Sequence, residues 1–203
     1  DHYSKKIFTQ TFRNNMTERD VPVVKACAKN PYTQITFLPD YKRFGMSNIT
    51  DDVYRLFQRR VIDACASTTK EVSVCFNGEK LSVKDFEKYC ELYIDKGEPC
   101  VYEKCGDRWE VAVSLSKNGS FEQISFVNGI NTIRGGKHIE YITNMITKTL
   151  VDMVAAKKKK TIKAQHIKDN LFIFVKSLIV NPSFDSQSKE TLTTPVAKFG
   201  SKC

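Results

Sequence analysis

Two adjoining stretches decide both the fold and the candidate site, LFIFVKSLIV (residues 171–180) and NPSFDSQSKE (residues 181–190). The first is nearly all apolar and rich in β-branched and aromatic residues, which predicts a buried strand. The Asn-Pro pair that follows predicts the end of this strand and the start of a loop. The loop carries an amide, Gln187, and an ammonium, Lys189. A lysine held there suits a terminal phosphate, although a lysine in a polar loop is most often simply solvated.

Periodicity and turn signals outside these stretches predict a chain that mixes strands and helices. Further strands are predicted over residues 32–37, 72–76, 108–115 and 121–127. Helices are predicted after the N-cap Thr50 and over residues 84–94, 138–156 and 164–169. The first helix is expected to bury Val53, Leu56, Phe57, Val61, Ala64 and Cys65 on one face. The segment over residues 100–107 is predicted to be a loop.

Composition places the chain among ordinary globular proteins. Its 203 residues are 41% hydrophobic and 27% charged, which is enough apolar material for a core. No apolar run approaches the length of a membrane span, and the first residues lack the pattern of a signal peptide. The seven cysteines are odd in number and irregularly spaced, which argues against a disulfide framework or a zinc site. We therefore expect reduced thiols in an intracellular protein.

The positive charge of the chain is concentrated near its end. The net charge is +9, and residues 151–203 hold ten lysines against four acidic residues. Within that part, residues 155–168 hold six lysines and no acidic residue. A lysine run of this kind is either a solvated segment that aids solubility or a surface that contacts a polyanion. Charge alone leaves both interpretations open.

The order of several motifs resembles the ATPase region of eukaryotic type IIA DNA topoisomerases. The motifs are VNGINTIRGGKH (residues 127–138), a long helix, a lysine tract, a strand and then the loop NPSFDSQSKE. Nearer the start, TQITFLPD (residues 33–40) is similar to the end of the family's GHKL nucleotide-binding domain. The resemblance implies that residues 1–83 are the end of that domain and residues 84–203 a transducer domain, with residues 181–190 as its switch loop.

The fold that the resemblance implies is α/β. It comprises the end of a GHKL (Bergerat) α/β sandwich and a transducer domain with a mixed sheet. The family also implies helices on one face of that sheet and a left-handed β-α-β crossover. General topology rules favour the right-handed form, so the left-handed expectation depends on the resemblance alone.

The resemblance assigns roles to individual residues of the nucleotide site. Gln187 and Lys189 match the positions that reach the γ-phosphate of ATP, where a fixed cation offsets charge that develops during phosphoryl transfer. Lys189 is accordingly the expected catalytic residue. Thr33 matches a threonine that lies near the adenine. Two positions differ from the family pattern, since Ser188 replaces a threonine and Gly129 replaces a residue that is more often serine.

The family also implies the partners. Two protomers form a homodimer when ATP binds, which closes a gate behind a captured DNA duplex, and no membrane is involved. The residues expected to contact double-stranded DNA lie in a basic loop after the long helix and are Lys157, Lys158, Lys159, Lys160 and Lys163. A nuclear location follows for a eukaryotic enzyme, with organellar and viral homologues as alternatives.

Parts of the family's machinery are expected outside this sequence. The catalytic glutamate, the magnesium-binding asparagine and the glycine-rich lid precede the matching segment, and residues 1–31 offer no candidate for them. The Mg2+ ligand is therefore expected elsewhere, and this segment alone is expected to be inactive as an ATPase. The competing hypothesis is a basic DNA-binding module without sequence preference, or a dimerisation module, in either case without a nucleotide role. The pairing of Gln187 with Lys189 discriminates against it, because a plain DNA-binding module does not need it.

Overall fold

The computed structural model describes residues 1–159 and 161–203, which form two compact units, Asp1–Tyr54 and Arg55–Cys203. Each unit makes most of its contacts within itself. The family resemblance implies a domain boundary between residues 83 and 84, and that boundary stays a prediction.

The strands of the first unit are two to four residues long. Its antiparallel pairs are β1 (Lys6–Thr9) with β4 (Val23–Ala26) and β2 (Phe12–Arg13) with β3 (Glu18–Arg19). A 3-10 helix follows at Tyr41–Phe44, and Asp40 caps it by accepting a hydrogen bond from the Arg43 amide. The strand predicted over residues 32–37 is wrong, because these residues are exposed and form no strand. Alternation marks a stretch that can become a strand, but a strand also needs a partner for its backbone hydrogen bonds.

The second unit is built on a mixed five-stranded sheet in the order β10-β9-β11-β8-β7. A small hairpin, β5 (Cys75–Phe76) with β6 (Glu79–Lys80), precedes it. The strands of the large sheet are β7 (Cys100–Cys105), β8 (Trp109–Leu115), β9 (Glu122–Val127), β10 (Ile130–Asn131) and β11 (Leu171–Ser177). The central strand β11 pairs antiparallel with β8 and parallel with β9. The predicted buried strand is therefore confirmed, although it ends three residues earlier than expected.

Four helices accompany the strands, and no helix in the described part of the chain is long and apolar enough to cross a membrane. They are α1 (Asp51–Ser67), α2 (Phe86–Cys90), α3 (Lys137–Lys158) and α4 (Ala164–Lys168). The expected inward face of α1 is wrong in part. Leu56 and Phe57 stay 50% and 40% exposed, whereas Asp63, Cys65 and Ala66 are buried. An apolar stripe is buried only where another surface covers it.

Helices pack on both faces of the large sheet, so the expectation of helices on one face is wrong, while the mixed α/β class is confirmed. Successive residues of β11 point to opposite faces. Ile173 packs with Ile139 and Ile142 of α3, and Phe174 packs on the other face with residues of α1 and α2. Helix α3 connects the parallel neighbours β9 and β11, which makes a β-α-β crossover. The left hand of that crossover stays a prediction.

The loop predicted over residues 100–107 is also wrong, since most of it is strand β7. This strand pairs antiparallel with β8 at one edge of the sheet. An edge strand is hydrogen-bonded on one side only and tolerates charged residues. Glu103 and Lys104 interrupt the apolar pattern, and Val101 is 69% exposed. The weak alternation of these residues therefore reflects their edge position.

A buried carboxylate joins α1 to the sheet and to α2. Asp63 is 6% exposed and accepts hydrogen bonds from the Tyr89 hydroxyl (2.6 Å), the Asn131 amide (3.0 Å) and the Arg59 guanidinium (2.9 Å). Burial and the bond to Asp63 raise the pKa of Tyr89, so the phenol stays protonated and donates. A buried charge needs such partners, and Asp63 therefore specifies how α1 packs.

Tyr89→Phe removes the hydroxyl of this network and leaves the ring in place. We expect the free energy of unfolding to fall by about 1.5–3 kcal/mol, since the lost bond is to a charged acceptor. Urea denaturation measures the change. Ser114→Ala is the matched control, because that buried hydroxyl donates to the uncharged backbone carbonyl of Pro99 (2.8 Å). Equal losses in the two variants would contradict a special role for Asp63.

Candidate functional site

The predicted switch loop, residues 181–190 and called the switch loop below, has a closed backbone and exposed side chains at its tip. The Asp185 amide donates to the Thr191 carbonyl (3.2 Å), and the Asp185 carboxyl accepts from the Thr191 amide (3.1 Å). This hydrogen bonding from Thr191 lowers the pKa of the Asp185 carboxyl. The Lys189 amide donates to the Ser186 carbonyl (3.1 Å), and Lys189 adopts a left-handed backbone with φ 59°. The loop therefore presents its polar side chains from an ordered turn.

Gln187 and Lys189 both lie exposed in this turn. The Lys189 ammonium lies 5.8 Å from the centre of the Phe184 ring, within the range of a cation–π contact. None of the salt bridges among the described residues involves Lys189. The hydroxyls of Ser186 and Ser188 are 3.0 Å apart beside it. The tip thus offers a cation, an amide and two hydroxyls, which are groups that bind anionic oxygens.

A backbone clip ties the exit of the switch loop to the turn before α3. We define the clip as residues 134–137 paired with residues 190–192. Its hydrogen bonds run from the Arg134 amide to the Glu190 carbonyl, from the Leu192 amide to the Gly135 carbonyl and from the Lys137 amide to the Leu192 carbonyl, each 3.0 Å. A salt bridge of 3.0 Å between Arg134 and Glu190 adds to them. The loop is therefore anchored at the N-terminus of α3.

Gly136 makes this close approach possible. Its φ of 128° is one that residues with a side chain rarely adopt. A Cβ at this position would lie 2.5 Å from the Leu192 nitrogen, closer than any van der Waals contact. The glycine pair in the sequence therefore does more than break the chain, because it lets two backbones pair.

A chain of buried polar groups lies beside the clip. The Thr132 hydroxyl is 2.6 Å from the Ser125 hydroxyl and 3.1 Å from Nε2 of His138. All three residues are fully buried. Burial lowers the pKa of His138 from 6.5 to about 3, so the imidazole is neutral near pH 7. The sequence reasoning missed this group, since a histidine at the start of a helix gives no periodic signal.

The lysines expected to contact DNA lie at the other end of α3. Lys157 and Lys158 belong to its last turn, which corrects the expectation that they lie in a loop. Lys159 caps the helix with a left-handed backbone, and Lys163 precedes α4. These four are exposed, and none of the salt bridges among the described residues involves them. Lys160 lies outside the described residues. Since α3 has 22 residues, about 33 Å separates this tract from the clip.

The remaining site predictions concern the nucleotide base and a metal. Thr33 lies in the first unit, exposed and outside any helix or strand. Its role near the adenine stays a prediction. Within the described residues, no group of three or more His, Cys, Asp or Glu side chains is placed to hold a metal ion.

Comparison with known proteins decides the family. A profile described as DNA gyrase B matches residues 66–202, which is more than half of the chain. The chain belongs to the DNA gyrase B family. The resemblance to eukaryotic type II topoisomerases is confirmed as well, by relatives and by solved structures.

Relatives named DNA topoisomerase 2 are similar over nearly the whole chain. DNA topoisomerase 2 of Arabidopsis thaliana is 45% identical over 208 residues, covering 98% of this chain and 14% of the relative. The Saccharomyces cerevisiae enzyme is 41% identical, covering 97% and 15%. A crystal structure of the ATPase region of Saccharomyces cerevisiae topoisomerase II superposes with a TM-score of 0.92 at 42% identity. It covers all of this chain, which spans 52% of that structure. The chain thus spans about one seventh of its curated relatives' length.

Gly136→Ala tests the clip. We expect the free energy of unfolding to fall by at least about 1–3 kcal/mol from backbone strain, with a further loss from the clash with Leu192. Urea denaturation measures the total loss from strain and clash. Gly119→Ala is the control, since Gly119 also has a positive φ but a Cβ added there would meet no atom within 4 Å. If Gly119→Ala cost as much, the close approach at Gly136 would be unimportant.

The buried imidazole predicts a pH dependence of stability. The folded pKa of His138 lies below its ordinary value, so below pH 6.5 the unfolded chain binds a proton that the folded chain does not. The contribution of the neutral imidazole to the free energy of unfolding is complete above pH 6.5. It is lost as pH falls toward 3, by up to about 1.4 kcal/mol per pH unit. The free energy of unfolding of the wild type, taken relative to that of His138→Gln, should fall as pH falls from 7 to 5. Parallel curves would mean that His138 binds its proton equally well in the folded and unfolded chains.

Proposed function

We propose that the chain is the transducer segment of the ATP-operated gate of a type II DNA topoisomerase. In this proposal, Lys189 and Gln187 bind the γ-phosphate of ATP. The observation that supports it best is an exposed lysine without a salt bridge among the described residues, carried by a hydrogen-bonded turn. A solvated surface lysine needs no such turn. Similarity to an ATPase region supports the same assignment.

The residues of the switch loop fit a terminal phosphate. A compact ammonium forms charge-assisted hydrogen bonds to phosphate oxygens, and the Gln187 amide adds a neutral donor. Asp185 is the acidic residue at the tip, and its carboxyl is engaged by Thr191. Mg2+ accompanies ATP in this proposal, and its protein ligand is expected outside this segment, as is the remainder of the ATPase machinery.

The loop acts by binding one nucleotide state more tightly than the other. ATP supplies the γ-phosphate, which ADP lacks. Lys189 neutralises negative charge on that group and Gln187 orients it, so both contacts exist only before the phosphate is released. Because the clip joins the loop to α3, a displacement of the loop acts directly on the N-terminus of this helix. A ligand shifts such an equilibrium only through its differential affinity for the two states.

In this proposal the segment acts as part of the intact enzyme. That enzyme acts as a homodimeric DNA topoisomerase in the nucleus, where ATP binding closes the gate and hydrolysis is coupled to passage of one DNA duplex through another. This segment alone does not hydrolyse ATP. The competing function, a basic DNA-binding or dimerisation module, leaves the switch loop without a role.

Lys189→Ala in the intact enzyme should weaken binding of a non-hydrolysable ATP analogue by about tenfold to a hundredfold, the equivalent of a charge-assisted bond of about 1.5–3 kcal/mol. Binding of ADP should stay nearly unchanged, because ADP lacks the phosphate that the lysine contacts. Strand passage at limiting ATP should slow strongly. Lys189→Arg should restore function only in part, since a planar fork replaces a compact ammonium. Ser188→Thr should be neutral or mildly favourable.

Lys96→Ala is the matched control, since Lys96 is also exposed, forms no salt bridge among the described residues and is remote from the loop in sequence. It should bind both nucleotides as the wild type does. Equal loss of ADP and ATP-analogue binding in Lys189→Ala would contradict γ-phosphate recognition. Wild-type strand passage in that variant would leave the DNA-binding module as the better function.

We further propose that Lys157, Lys158, Lys159, Lys160 and Lys163 contact the phosphates of captured double-stranded DNA. The lysines of this tract that the structure describes are exposed and form no salt bridge among the described residues, which supports a contact with DNA. Cations at the C-terminus of α3 also interact favourably with the helix dipole. Contacts of this kind carry no sequence preference.

Replacing Lys157, Lys158, Lys159 and Lys163 with alanine should flatten the log-log salt dependence of DNA binding by roughly 3–4 units. Stimulation of ATPase activity by DNA should fall while basal activity remains. The control replaces four other exposed lysines that form no salt bridge among the described residues, namely Lys80, Lys84, Lys96 and Lys104. It removes the same charge and should change the slope little. An unchanged slope in the first variant would show that the tract is only solvated.

A further inference from the structure

The polar chain beside the clip has a defined direction. The Ser125 hydroxyl donates its one proton to the Thr132 carbonyl (3.1 Å). Either hydroxyl can donate at the 2.6 Å contact between them, and we assign this proton to Thr132 because the Ser125 proton is assigned to the carbonyl. Thr132 can then only accept at its contact with His138, so Nε2 of the imidazole carries the hydrogen and donates it (3.1 Å). Nδ1 is left as a bare acceptor.

Hydrophobic packing alone does not favour an imidazole at position 138. His138 is fully buried, and its Nδ1 atom has no hydrogen-bond partner among the described residues. Burying a polar atom without a partner is unfavourable, and an apolar side chain of similar size avoids that penalty. The low pKa of His138 agrees with a ring that stays neutral in the core. Packing therefore does not account for a histidine here.

The position of the hydrogen bond explains the imidazole better. Thr132 and His138 lie on either side of the α3 half of the clip, residues 134–137. The bond between their side chains joins the two ends of this short segment across its base. The Gly135 amide also donates to the Thr132 carbonyl (2.9 Å), which tightens the same turn. Through Ser125, the closed segment is held against strand β9.

We propose that His138 is a positioning residue for the switch loop. Its Nε2–H bond to Thr132 closes the turn that pairs with Leu192, and the turn sets where Lys189 stands. The effect of His138 on the position of Lys189 rests on the proposed function of Lys189. The effect of His138 on the clip does not, and it can be tested separately.

Amide hydrogen exchange of this chain tests the clip. In His138→Leu, the amides of Arg134, Lys137 and Leu192 should exchange about tenfold faster, the factor expected for losing one hydrogen bond of ordinary net strength. Amides of the ladder between β8 and β11 should change little. His138→Gln keeps an N–H donor at a similar reach and should restore most of the protection. Thr132→Val, which removes the acceptor and keeps the shape, should behave as His138→Leu does.

Ile142→Val is the control for general loosening. Ile142 is buried on the same helix and takes no part in the polar chain. In this variant, clip and ladder amides should shift together. Should His138→Leu fail to fold, Thr132→Val carries the test by itself. Clip amides that stay protected in the folded variants, or that change only as much as the ladder, would overturn the positioning role.

Nucleotide binding by the intact enzyme separates the two proposals. His138→Leu should lower the preference for the ATP analogue over ADP, and adding it to Lys189→Ala should cause little further loss, because both act on one contact. A normal preference in His138→Leu beside a reduced one in Lys189→Ala would overturn positioning and leave the proposed function intact. A normal preference in Lys189→Ala, with the clip loosened in His138→Leu, would remove the proposed function and leave the clip role standing.

Discussion

The backbone pairing between Leu192 and the Gly135–Gly136 turn is the contact on which the candidate site depends. It joins two segments that are distant in sequence, since the turn starts α3 and Leu192 follows the switch loop. Backbone hydrogen bonds have fixed geometry and cannot be replaced by a flexible side chain. The loop is thereby held by its ends while its tip remains exposed.

In this arrangement the backbone of the loop is held in place while the Lys189 side chain is left free to bind a ligand. The core on both faces of the sheet is apolar and holds β11, the strand that leads into the loop. The clip holds the exit of the loop, and the buried polar chain holds the clip. Lys189 stays available to a ligand, because no salt bridge among the described residues engages it. A charge that is positioned by its backbone and not by an ion pair is suited to recognise an incoming anion.

The parts of the fold that depend on local pattern could be predicted from the sequence. Strands β8, β9 and β11, the hairpin turn at Asn77–Gly78 and the long helix α3 each follow from residues within one short stretch. Predictions failed where the outcome depends on a distant partner. Residues 32–37 lack a strand to pair with, whereas residues 100–105 find one at a sheet edge. The apolar stripe of α1 was visible, but which part of it is covered was not.

The candidate site divides in the same way. Gln187 and Lys189 could be named from a motif, and the structure places them together in one turn. The roles of Gly136 and His138 could not be predicted, because they arise from contacts with Leu192 and Thr132 that the linear pattern does not contain. Asp63 is a similar case, since a single acid in a helix gives no sign of the hydrogen-bond partners that allow its burial.

A structure of the intact ATPase region with a non-hydrolysable ATP analogue tests most directly the proposed contact between Lys189 and the γ-phosphate of ATP. We expect Nζ of Lys189 to lie about 2.7–2.9 Å from a γ-phosphate oxygen, the distance of a charge-assisted hydrogen bond. The clip between Leu192 and Gly135 should be intact in the same structure. A nucleotide bound with its γ-phosphate in place and Lys189 pointing into solvent would contradict the account.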